Sequence, residues 1–163
     1  MNYTLFILAL SFFIGCSSLS DEELWRKVEQ AKANHNWDST MQVSQRILKD
    51  FPQGHYGGWA RFALAESYRF KNQPREAVDN YKLFVEKYHE MQPGALSLFL
   101  VGYIYSNDLH MNDSAKFYFE LFLGKYPNHE LVPSVKFELE SIGKSPQEVL
   151  DEKTGQRKTF SKK

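Results

Sequence analysis

The chain repeats itself, and that fact limits its fold more than any other. Ala77-Val78-Asp79-Asn80-Tyr81-Lys82-Leu83-Phe84-Val85-Glu86-Lys87-Tyr88 returns 38 residues later as Ala115-Lys116-Phe117-Tyr118-Phe119-Glu120-Leu121-Phe122-Leu123-Gly124-Lys125-Tyr126. Both copies hold Ala, then an aromatic four residues on, Phe at seven, and Lys-Tyr at ten and eleven. A weaker copy lies 37 residues earlier, from Thr40 through Ser44 and Ile47 to Phe51-Pro52. The i, i+4, i+7, i+11 spacing places these residues on one face of an α-helix. Each such helix has a partner upstream. Leu64-Ala65 with Tyr68, and Val101-Gly102 with Tyr105, put a bulky residue, a small one and a Tyr at i, i+1 and i+4. The small residue allows close approach of two helices. Short polar turns, Lys71–Pro74 and Ser106–Asp108, join the partners. A helix pair cannot bury its apolar face alone, so successive pairs must stack on one another.

These residues resemble the tetratricopeptide repeat. Its pattern is met by Leu64, Ala65, Tyr68, Ala77 and Tyr81 in the second unit, and by Val101, Gly102, Tyr105, Ala115, Phe119 and Pro127 in the third. The first unit keeps Leu24, Val28, Ile47 and Pro52, and a fourth, incomplete one starts near Pro133. Ser145-Pro146-Gln147-Glu148 reads as a capping box opening a last short helix. The resemblance implies an all-α, TPR-like solenoid of antiparallel helix pairs over residues 21–152, with about three full repeats plus a partial fourth. The period exceeds the usual 34 residues. The extra length falls at Gly54–Gly58 and Met91–Gly94.

Residues 1–15 contain no charged side chain, and the apolar run Thr4–Ile14 is too short to span a bilayer as a helix. It has the length of a signal-peptide core. It ends in Phe13-Ile14-Gly15-Cys16, followed by Ser17-Ser18. This resembles a bacterial lipoprotein box, in which the thiolate of the Cys accepts a lipid. An ordinary secretory signal is the other reading. The resemblance implies a signal peptide over 1–15, lipidation at Cys16, a linker over 16–20 and an outer-membrane anchor facing the periplasm. Leader and repeats together are similar to the small repeat lipoproteins of the bacterial cell envelope. That group includes the lipoprotein of the outer-membrane β-barrel assembly machine and the repeat domain of the Tol–Pal coordination protein. The tail 153–163 carries five cations and no acid, and its lack of apolar periodicity leads us to expect disorder.

Charge and motifs narrow the function. Twenty basic residues balance twenty acidic ones, whereas a nucleic-acid binder needs a basic excess. Cys16 is the sole cysteine, which excludes an internal disulfide and a Cys-based zinc site. His35, His55, His89, His110 and His129 are spread along the chain near helix ends, so no metal site is expected. There is no Gly-rich phosphate loop, G-x-S-x-G elbow or H-E-x-x-H, so the chain reads as a non-enzyme without a cofactor.

An aromatic recurs five residues into each first helix: Trp25, Phe62, Phe99 and Phe137, spaced 37, 37 and 38. The repeat family turns that position toward a groove, with Trp59, Glu66, Arg69, Tyr103 and Glu29 nearby. The stripe is either a partner-binding groove or simply core. Grooves that clamp a C-terminal carboxylate carry Lys and Asn at these positions, and here they hold aromatics and Glu66. The expected function is a membrane-anchored scaffold binding other envelope proteins, with no small-molecule substrate. The alternatives are an enzyme-accessory subunit or a glycan binder that stacks sugars on Trp25, Trp37 and Trp59.

Overall fold

Three of the helix starts are set by short polar side chains. Ser20 accepts from the backbone N–H of Glu23 at 3.2 Å, and the Glu23 carboxylate accepts from the Ser20 N–H at 2.8 Å. This reciprocal box satisfies two donors that a helix start otherwise leaves unpaired. Ser145 and Glu148 repeat it 125 residues later, as the sequence predicts. The Asn36 carboxamide accepts from the Ser39 N–H at 3.0 Å, and Pro74 sits in the first turn of its helix, where no N–H is needed.

The computed structural model describes residues 19–155. The expected leader over 1–15, the expected lipidation site Cys16 and most of the basic tail lie outside the described residues. Eight helices follow in order: α1 (Asp21–Ala33), α2 (Trp37–Asp50), α3 (Gly57–Phe70), α4 (Pro74–Tyr88), α5 (Gly94–Asn107), α6 (Asn112–Lys125), α7 (Val132–Ser141) and α8 (Pro146–Thr154). No strand occurs among the described residues. The helices pair as α1–α2, α3–α4 and α5–α6, with α7 and α8 as the partial fourth unit. The turn inside each full pair places one residue in the left-handed region: His35 (φ 54°), Asn72 (φ 56°) and His110 (φ 53°). Asn and His tolerate that conformation better than branched residues do.

Two sequence expectations need adjustment. The segments read as connecting extensions are partly helical, because Gly57, Gly58 and Gly94 open α3 and α5. A Cβ at Gly57 would stand 3.1 Å from the Tyr88 hydroxyl, and one at Gly94 would stand 3.1 Å from the Tyr126 hydroxyl. The repeated Lys-Tyr thus seals the start of the first helix of its own unit. The tail also begins later than expected, since α8 includes Lys153 and Thr154 and is capped by left-handed Gly155 (φ 68°).

The buried residues fall into three clusters. Leu24, Val28 and Ile47 of the first pair join Ala60 and Ala63 of α3. Phe62, Tyr81 and Phe84 of the second join Val101 and Ile104 of α5. Leu98, Phe119 and Phe122 of the third join Val135 of α7. Each cluster spans one pair plus the first helix of the next, which is how a solenoid distributes its core. Helix α8 is an exception with no buried residue. It is held by the Lys144–Glu152 ion pair at 2.7 Å and by the Lys153 ammonium, 4.1 Å from the Phe137 ring centroid.

Two glycines should respond oppositely to enlargement. A Cβ at Gly102 would lie 2.7 Å from the fully buried Phe119 ring, so Gly102→Val should cost about 1–3 kcal/mol in urea unfolding. Gly124, in the last turn of α6, has nothing within 4 Å of a built Cβ, so Gly124→Ala should stabilise by about 0.5–1 kcal/mol. The capping carboxylates define an acid response. Hydrogen bonds from Ser20 to Glu23 and from Ser145 to Glu148 hold both carboxyls below the ordinary 4.5. Their contribution is therefore present above 4.5 and lost as pH falls through the lowered value. Far-UV circular dichroism should show helix loss in that window, reduced in Glu148→Gln.

Candidate functional site: an aromatic cleft across three first helices

On α1, Trp25, Glu29 and Lys32 stand at i, i+4 and i+7 and share one helix face. On α3, Trp59 and Phe62 do the same at i and i+3. These five residues, with Gln92, Pro93 and Leu96 at the entry to α5, line an open cleft of about 340 Å³. The Trp25 ring stacks on Tyr56 with centroids 5.7 Å apart and planes 12° apart, and it lies 6.4 Å from Trp59. Phe62 forms the floor. It is only 9% exposed, and its ring meets Tyr81 at 5.7 Å and Phe84 at 5.6 Å, both edge to face. Such pairs add about 0.5–1.5 kcal/mol beyond area burial.

The polar groups of the cleft are few. Lys32 donates to the Glu66 carboxylate at 2.5 Å, and its ammonium lies 6.0 Å from the Phe62 centroid. That cation is already used. Glu29 is exposed and has no ion-pair partner among the described residues, so the cleft carries one uncompensated negative charge. Behind the floor, the Tyr81 hydroxyl and the Arg69 Nε are buried without a hydrogen-bond partner among the described residues. Burial pushes the Tyr81 phenol far above its usual range, nearby Glu66 adds to the rise and Arg69 opposes it. Tyr81 is therefore a neutral core residue.

The aromatic stripe is not one continuous surface. Trp25, Trp59 and Phe62 come together, with Glu66 one ion pair away. Phe99 is half-buried, 6.0 Å from both Tyr103 and Phe119, so much of its ring serves the third core cluster. Arg69 lies outside the cleft lining, its guanidinium 4.9 Å above the Phe70 ring. Phe137 is 42% exposed and faces Lys153. Trp37 stacks on Phe70 at 4.2 Å and 8°, away from the cleft. Trp25 and Trp37 thus each spend a ring face on another aromatic, which does not favour sugar stacking.

Sequence reasoning missed Lys32, Gln92, Pro93 and Leu96. A signal existed for two of them. Lys32 continues the Trp25–Glu29 face, and Leu96 precedes Phe99 by three residues, as Trp59 precedes Phe62. A larger polar cavity of about 590 Å³ lies at the other end, between the α5–α6 turn and α7–α8, and is lined by Asn107, His110, Asn112, Glu138 and Lys144 among others. Among the described residues, no three His, Cys, Asp or Glu side chains gather as a metal site, and no helix is long and apolar enough to cross a membrane.

Residues 59–88 match the family model of the tetratricopeptide repeat. The match runs from Trp59 in the cleft wall to Tyr88 on Gly57, which is the second helix pair. The helix pairs stack as a TPR-like solenoid, and the tetratricopeptide repeat is a protein–protein interaction scaffold. No curated protein matches the chain.

The floor and wall of the cleft should separate on mutation. Phe62→Ala removes a buried ring and should lower stability by about 3–5 kcal/mol. Trp59→Ala, at a partly buried ring, should cost less and leave the circular dichroism spectrum intact. Equal losses in thermal melts would show that the wall is core as well.

Proposed function

We propose that the chain is a non-catalytic, membrane-tethered scaffold of the bacterial envelope that holds a segment of a partner protein in the Trp25–Trp59–Phe62 cleft. The observation that carries this reading is the cleft itself: solvent-facing aromatic walls over a floor fixed by the core. Rigid aromatic walls in a preformed groove give binding energy at little ordering cost. Few polar groups line the cleft, and an extended or helical segment with one or two apolar anchors suits it. The tether rests on Cys16, the sole cysteine, placed after an uncharged leader. An outer-membrane anchor facing the periplasm is what the resemblance of Phe13-Ile14-Gly15-Cys16 to a lipoprotein box implies. No catalytic residue is assigned, and the role is support of outer-membrane assembly or envelope maintenance.

Two experiments test the two halves of this reading. A palmitate analogue should label the wild type in bacteria and fail to label Cys16→Ser; equal labelling would remove the tether. A photo-crosslinking amino acid at Leu96, on the cleft rim, should trap one envelope protein. The same group at Phe117, exposed on the outer side of α6, should not. Equal trapping from both positions would sink the cleft as the partner site.

A further inference from the structure

The chain contains a segment whose chemistry complements the cleft. Gln156-Arg157-Lys158-Thr159-Phe160-Ser161-Lys162-Lys163 has one aromatic, four cations and no acid. Residues 1–18 carry no charged side chain, so residues 19–155 hold the remaining 16 cations and all 20 acids. The repeat body is thus net −4 and the segment net +4. Locally the match is closer. The cleft offers apolar walls for a ring, and Glu29 stands beside them without a counterion among the described residues.

The path of the chain favours delivery from the same molecule. Helix α8 ends against the groove-register position of the fourth unit, with Lys153 over the Phe137 ring. Phe137 occupies in α7 the position that Phe99 holds in α5 and Phe62 in α3. Helix α7 packs on α6, and its Val135 shares one core cluster with Ala95 and Leu98 of α5 and Phe119 and Phe122 of α6. The near wall of the cleft, Pro93 and Leu96, belongs to α5 and its entry, and α5 shares the third core cluster with α7. Extended chain covers about 3.4 Å per residue, so Phe160 reaches about 17 Å beyond Gly155 and the full segment about 27 Å.

We propose that residues 156–163 occupy the aromatic cleft of their own molecule, with Phe160 against the Trp59–Leu96 walls and the flanking cations toward Glu29. This rests on reading the cleft as a peptide site. It makes the segment a built-in competitor that a partner must displace, and partner affinity is reduced by the fraction of molecules in which the cleft is filled.

Tryptophan emission reads the cleft directly. Trp37→Phe keeps its stack on Phe70 and leaves Trp25 and Trp59 as the only tryptophans. In that background, the full chain in detergent is compared with one ending at Gly155. The full chain should emit at shorter wavelength. A synthetic peptide of residues 153–163 should restore that emission to the shortened chain, more weakly with added salt. Phe160→Ser in the peptide, or Glu29→Lys in the protein, should weaken it at least tenfold. Identical emission from both chains with no response to peptide would overturn the proposal, as would peptide binding indifferent to both substitutions. A blue shift of the full chain that vanishes on dilution would assign the segment to a second copy and overturn the same-molecule reading. Crosslinking from Leu96 separates this from the partner reading. Greater capture by the shortened chain supports competition, whereas equal capture by both chains sinks the competitor and leaves the partner site standing.

Discussion

How near the two helices of a pair can come is the constraint on which everything else rests. In the third unit it is met by size matching. Gly102 leaves no side chain where the Phe119 ring lies, and a Cβ there would be 2.7 Å away. The same two register positions hold Ala65 and Tyr81 in the second unit, and Val28 and Ser44 in the first. Gly102 and Ala65, the small members, face a full ring, whereas the bulkier Val28 is matched by the hydroxymethyl group of Ser44. All six residues are buried. Close packing at interior density demands this trade, because neither a void nor an overlap is tolerated cheaply. Interhelix spacing then stays regular, and successive first helices align so that residues 37 apart can line one cleft.

The same trade explains what was legible in the sequence. Helix pairs, their turns, the two apolar periodicities and the final capping box could all be read, because each is a local pattern. Unit one looked degenerate because Thr40 and Ser44 break the apolar face, yet both are fully buried. Thr40 donates its hydroxyl to the Asn36 carbonyl at 2.9 Å, and Val28 brings the bulk that Ser44 lacks. The pattern is conserved as a sum over two helices, which reading one helix at a time cannot detect. The glycines at 57 and 94 were misread as linker for a similar reason. The Tyr88 hydroxyl, 31 residues away, is what a side chain at 57 would meet, while one at 94 would meet the His89 backbone carbonyl first and then the Tyr126 hydroxyl.

The candidate site was legible in part. Periodicity found Trp25, Phe62, Phe99 and Phe137 as equivalent positions, and they are equivalent in backbone register. Their exposure differs because neighbours differ. Phe62 is covered by Tyr81 and Phe84, while Phe137 at the thin end of the stack is covered chiefly by one lysine. Register decides where a side chain starts, and the adjacent unit decides whether water reaches it. Glu66 and Lys32 show the remaining limit: their ion pair joins residues 34 apart, and no local rule picks one partner from several lysines.

The three core clusters have a mechanical consequence. Each links a pair only to the helix that follows, so structural information passes from unit to neighbouring unit and no further. Opening of α7 and α8 disrupts the third cluster and leaves the first two in place. The cleft draws its lining from α1, α3 and the entry to α5, inside the part that such opening spares. One end of the molecule can therefore come undone while the cleft at the other keeps its shape.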